Sequence, residues 1–136
     1  MTLRPSRRKS TRSRPPAENP AVKAIIRWTV FERAGRRCEG CGRPVRFDAP
    51  VLAPDAMHAS HRVGEVHGGQ FTPENLCCLC RDCHLYGPES PHAHPEAARR
   101  RGLACLSTED PAERPVQLWT GKWVFLTDDG KYREAA

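Results

Sequence analysis

Two C-x-x-C pairs constrain this chain more than any other feature. Cys38-Glu-Gly-Cys41 and Cys80-Arg-Asp-Cys83 stand 38 residues apart and together offer four sulfur ligands. That is the donor set tetrahedral Zn²⁺ prefers, and in a reducing compartment the spacing favours metal over disulfides. A redox dithiol and an iron–sulfur cluster are the competing uses of such cysteines. A closed four-sulfur site leaves no position for substrate. The expected zinc is therefore architectural, clamping the start of a domain to the base of whatever precedes Cys80. The chain needs such a clamp: only 38% of its 136 residues are hydrophobic and 13 prolines break it into short pieces. A large core is out of reach, and small domains of this kind lean on metal or disulfides. Of the remaining cysteines, Cys77 and Cys78 fall in a strand and point to opposite faces, which makes one a core residue and the other a bystander. Cys105 reads as a small buried hydrophobe.

Short elements hang on this staple. Asn19-Pro20 caps a helix over residues 21–34, with Val22, Ile25, Ile26 and Phe31 at helical spacing and Gly35 at its end. Residues 43–55 are a Pro- and Ala-rich loop. A strand spans 56–63, a loop 64–75, and a second strand 76–79, followed by a helix that starts within the second knuckle and runs toward Tyr86. Gly87-Pro88 stops it. Pro95 opens another short helix that Gly102 ends. Val116–Trp119 and Trp123–Leu126 flank Thr120-Gly121 as a hairpin. The chain thus divides into a basic tail (1–18), one domain (19–128) and a C-terminal tail (129–136).

The net charge of +6 belongs to the tail. Six of the 22 basic side chains fall in residues 1–20 against one acid, Glu18, which leaves 16 basic and 15 acidic residues for the rest. Any nucleic-acid affinity of the domain must come from local clusters, not bulk charge. The Arg/Ser/Pro-rich tail is too polar to offset the entropy of ordering. It serves either as a phosphate-binding arm or as a solubilising terminus. Its Arg/Ser bias also resembles a transit peptide, though without an amphipathic face. No run of 18 apolar residues and no signal-peptide core is present, so an intracellular protein with no membrane span is expected.

The stretch Met57–His84 carries the chemistry. His61 lies at the end of a strand, and imidazole accepts a proton from water near neutral pH. Asn75 cannot act as a base, but its amide can fix the backbone near His61 or lend an oxygen to a metal. His84 directly follows the second knuckle and is a natural metal ligand. Each residue has an ordinary reading as well: His61 as strand packing, Asn75 as a turn former, His84 as a partner of the zinc site. Arg27, Arg33, Arg36 and Arg37 can reach phosphates or form a solvated face.

Cys38-x-x-Cys41-Gly, Ala59-Ser60-His61-Arg62, Gly68-Gly69, Thr72-Pro73-x-Asn75-Leu76 and Leu79-Cys80-x-x-Cys83-His84 together resemble an HNH endonuclease, in particular the small versions of actinobacterial phages and prophages. The likeness continues through His94-Pro95 to Gly102 and into Pro115-Val116. It implies a small α+β fold, a ββα-metal core stapled by the Cys38, Cys41, Cys80, Cys83 zinc, with flanking short helices and a C-terminal β-hairpin. It also implies a general base at His61, an orienting or metal-proximal Asn75, and His84 on a catalytic divalent ion, Mg²⁺ or Mn²⁺, Ni²⁺ or Zn²⁺. One position departs from the pattern. The residue before the base is usually an acidic or histidine ligand and here is Ser60, a poor ligand for a hard cation. His58, two residues back on the same face, and His92 are the candidate replacements; His67 and His94 are expected on the surface.

The resulting expectation is a DNA endonuclease of low sequence specificity, contacting phosphates through the tail, Arg62, Arg99, Arg100 and Arg101. Such a protein is expected in the cytoplasm of a bacterial host, with genome packaging beside a terminase as one role. The alternative is a non-catalytic zinc-ribbon module that binds DNA or a protein. Oligomeric state is not legible.

Overall fold

A computed structural model describes residues 19–135; the basic arm expected at 1–18 lies outside them. Helix α1 (Pro20–Arg33) begins where Asn19 accepts hydrogen bonds from the Ala21 and Val22 N–H groups and Pro20 fills the first turn. It buries Val30 and Phe31 and ends at Gly35 and Arg36, both at positive φ. The chain then turns directly into the first knuckle.

The centre of the molecule is an antiparallel pair, β1 (His58–His61) and β2 (Leu76–Leu79), with His58 opposite Leu79, Ser60 opposite Cys77 and His61 opposite Leu76. β1 is shorter than the expected 56–63 because other groups take its ends. Met57 N–H donates to Arg46 O at one end, and at the other the Asn75 side chain captures both backbone groups of Val63.

β2 is buried along its whole length. Its second edge is closed by the first knuckle: Glu39 N–H donates to Cys78 O at 2.7 Å, and the Glu39 carboxylate accepts from Cys78 N–H at 2.8 Å. Cys77 and Cys78 are consequently both 0% exposed, so neither is a bystander. The period-2 rule separates them correctly, but both faces of this strand are covered. Burial pushes the Cys77 thiol up to about 12 and raises Cys78 further. Both stay protonated and act as apolar packing.

A buried polar cluster ties these parts together. Arg33 donates to both oxygens of Glu39, at 3.0 and 2.9 Å, and also to Pro73 O and Leu76 O. The Tyr132 hydroxyl donates to the same carboxylate. Burial works against Arg33's charge, but Glu39 more than offsets it and holds the guanidinium charged. Arg33 is thus an internal strut. Removing one partner strands the other ion in the interior, which costs about 3–5 kcal/mol. Glu39→Ala should lower stability by that amount, measured as a shift of the urea midpoint; a change under about 1 kcal/mol would show the cluster to be incidental.

After β2 the chain makes a single π-helical turn, Asp82–Tyr86, closed by Gly87 N–H on Asp82 O at 2.7 Å. The expected helix is therefore one wide turn, ended by Gly87-Pro88. Helix α2 (Pro95–Arg100) follows, and then a sheet ordered β3 (Val116–Gln117), β4 (Trp123–Leu126), β5 (Tyr132–Glu134). The hairpin is present, with a strand added: β5 lies in the segment expected as a C-terminal tail, which Tyr132 and the pairing to β4 hold in place. The architecture is a small α+β fold, and no helix among the described residues is long and apolar enough to cross a membrane.

Candidate metal and active site

Four sulfurs converge beneath the β1–β2 pair. The Sγ atoms of Cys38, Cys41, Cys80 and Cys83 all lie within 4.8 Å of one another, and Cys41 and Cys80 are 3.9 Å apart. A tetrahedron with Zn–S bonds of about 2.3 Å puts its sulfurs roughly 3.8 Å apart. Backbone N–H groups of Gly40 and Cys83 point at sulfurs, as thiolates require. Hydrogen bonds from Cys38 and Cys83 hold Cys80 far below the usual thiol range. The cluster has the donor set and the spacing of a structural zinc site.

Above this staple a cavity of about 580 Å³ opens. His61, at the end of β1, lines it, and its Nε2 is a buried atom with no hydrogen-bond partner. The ring packs against Phe71 at 5.7 Å. Burial lowers its pKa, outweighing the upward pull of Glu65, and the charge of Lys23 lowers it slightly further. A neutral imidazole with a free nitrogen is the form that accepts a proton.

Asn75 does not face the cavity. It is buried, its Oδ1 accepting from Val63 N–H at 2.9 Å and its Nδ2 donating to Val63 O and Gln70 O. Of the two uses open to it, fixing the backbone beyond His61 is the one this geometry serves, because the oxygen is already engaged. The adjoining glycines are part of the same clamp. Gly68 turns at φ +88°, and a Cβ on Gly69 would fall 1.7 Å from Val63 O. Only glycine allows that approach.

His84 sits on the π turn, its N–H bonded to Cys80 O at 3.0 Å, so zinc knuckle and histidine move together. Its Nδ1 lies 2.7 Å from His58 Nδ1. His58 Nε2 is 2.6 Å from Val51 O, which only accepts, so His58 donates from Nε2 and turns the Nδ1 lone pair toward His84. A backbone carbonyl fixing the tautomer in this way is how metal-bound histidines are usually oriented. His92 completes the group, its ring 4.7 Å from that of His84. Burial first, and then the charges of His92, His58 and His61, bring the His84 pKa down to about 3. It is held as the neutral, ligating form. Three imidazole rings thus gather at one place, two of them sharing one proton between facing nitrogens.

Ser60 does not join them. It is buried, does not line the cavity, and its Oγ makes no hydrogen bond. His58, by contrast, reaches His84. His67 and His94 are exposed, His67 at the cavity rim.

The arginines part ways. Arg62 was expected on DNA, yet it is 2% exposed and donates to the carbonyls of Gly102, Glu74, Pro111 and Arg114. It is a bracket joining β1 to the C-terminal half, with no donor turned toward solvent. Alternation along the strand sends it away from His61. Arg101 is likewise tied, to Glu89, Gly40 O and Gln117 O. Arg27 donates to Phe47 O and Met57 O, Arg36 to Glu32 and Arg37 to Gly42 O. Arg99 lines the cavity and Arg100 is exposed.

Comparison with known families fits this arrangement. Residues 38–86, from the first zinc cysteine to the end of the π turn, match the family model described as HNH endonuclease. No curated protein and no solved structure matches the chain. Both knuckles, the strand pair and His84 lie inside the matched segment, so residues 38–86 are similar to an HNH endonuclease domain.

Proposed function

We propose that this protein is a metal-dependent DNA endonuclease that hydrolyses phosphodiester bonds. The observation that carries the reading is one cavity lined by His84, His92 and an unpartnered His61 nitrogen, with His58 hydrogen-bonded to His84. His61 Nε2 takes the proton of a water as its oxygen attacks phosphorus; a P–O bond breaks and the departing alkoxide takes a proton from solvent. Asn75 keeps His61 in register by locking Val63. His58, His84 and His92 would hold a divalent cation, which would supply neutralisation of charge on the scissile phosphate.

Imidazole is a ligand for transition ions more than for Mg²⁺, and the cavity lining offers one carboxylate, Glu65. Wild type should therefore nick supercoiled plasmid about tenfold faster with Mn²⁺ or Ni²⁺ than with Mg²⁺. His84→Ala should weaken binding of that ion by about 10–100-fold, and nicking with it. No nicking with any metal, in protein that still holds one zinc, would favour a non-catalytic zinc module that binds DNA. Ser60 supports that second reading, since the usual ligand position is turned inward. The likeness to small phage nucleases puts genome packaging beside a terminase first among cellular roles to examine.

A further inference from the structure

Part of the cavity lining comes from outside the matched segment. Besides His61 and His84 the cavity is lined by Pro95 and Arg99 of α2 and by Ala104 and Cys105. Two arginines line this cavity, and Arg99 differs from Arg62 in one respect. Arg62 spends its donors on four carbonyls, and Arg101 is paired with Glu89 and two carbonyls. Arg114 is paired with Glu109, and Arg81 with Asp82. The Arg99 guanidinium makes no hydrogen bond and no ion pair with any described residue, although Glu65 lines the same cavity.

Its backbone is nevertheless pinned. Arg99 O accepts from Arg114 Nη2 at 2.6 Å and from Gly102 N–H at 3.0 Å. A cation on a fixed backbone, half-buried and uncompensated, in a concavity that also holds a free imidazole nitrogen, is arranged for an anion that arrives from outside. A guanidinium presents a planar fork of donors that matches two oxygens of one phosphate.

We infer that Arg99 is the phosphate-binding cation of this site, gripping the non-bridging oxygens of the diester that His61 faces. The inference rests on the nuclease reading and deepens it. In a partly enclosed site a preset donor is worth most when charge builds on the phosphate in the transition state, so its effect falls on the rate rather than on docking. It also gives the segment after the π turn a part in the reaction: α2 brings the cation that the matched segment does not provide.

The test compares Arg99→Ala and Arg99→Lys with Arg133→Ala, an exposed arginine of β5, as control. Single-turnover nicking of plasmid is read alongside duplex affinity in EDTA, zinc content and melting temperature. Arg99→Ala should nick about 100-fold slower while its duplex Kd changes less than about threefold, with Lys restoring part of the rate. Arg133→Ala should change neither rate nor affinity by more than about threefold. Should the alanine variant melt below assay temperature, Arg99→Gln decides on the same readouts. Nicking by Arg99→Ala at the wild-type rate overturns the inference, as does a rate loss that merely follows a weakened Kd; in both cases the nuclease reading stands. A wild type that nicks with no metal removes the nuclease reading, and this inference with it.

Discussion

Cys80→Ser should leave a chain that no longer melts cooperatively near room temperature. Structural zinc sites contribute roughly 10–16 kcal/mol of apparent binding free energy at neutral pH, which is folding free energy when no site exists in the unfolded chain. A small domain's whole stability is about 5–15 kcal/mol, so the staple is comparable to everything else together. Cys80 is also where several features meet. It follows β2, its sulfur lies 3.9 Å from that of Cys41, and its carbonyl accepts from His84 N–H. Losing the clamp therefore frees the first knuckle and its Glu39 from β2, and with them the π turn that carries His84. The measurement is thermal melting by circular dichroism with zinc content determined in parallel. A variant that holds less than one zinc yet melts within a few degrees of wild type would show that the core suffices without the staple.

His61→Ala should do the opposite, sparing the fold and removing the chemistry. General-base catalysis contributes about 10²–10⁴ in rate, and nicking should fall by that factor. Stability should change little, because Nε2 has no partner to lose and the ring's chief neighbour, Phe71, remains partly exposed. Zinc content and melting temperature serve as controls for each preparation. Unchanged nicking would displace His61 from the role of base, and the search would move to a cation-bound water acting without it.

The two variants probe features that differ in how early they can be read. Asn19-Pro20 and Gly35 bound α1, Gly68-Gly69 mark the clamp, and Thr120-Gly121 the β3–β4 turn; each depends on local chemistry that neighbouring residues fix. Strand ends were less legible. β1 loses residues at both ends because Arg46 O, 11 positions before Met57, and the Asn75 side chain, 12 positions after Val63, take its backbone groups. The segment after Asp129 gives little strand signal of its own and becomes β5 by pairing with β4.

Charged residues were least legible. Arg33, Arg62, Arg99 and Arg101 look alike in the sequence, yet one pairs with a buried carboxylate, one brackets four carbonyls, one is tied to a neighbouring loop and Arg99 faces the cavity unpaired. A guanidinium is long enough to reach any of these environments, so its use depends on which distant segment lies beside it.

By itself the sequence determined the four-cysteine staple, the order of short elements and the presence of His61, Asn75 and His84 in one stretch, because ligand spacing, turn chemistry and hydrophobic period are local. Only the tertiary structure decided that Cys77 and Cys78 are both core, that Ser60 turns inward while His58 and His92 flank His84, and that Arg99 alone of its run lines the cavity. Those outcomes depend on faces covered and carbonyls satisfied by residues far along the chain, which no local pattern encodes.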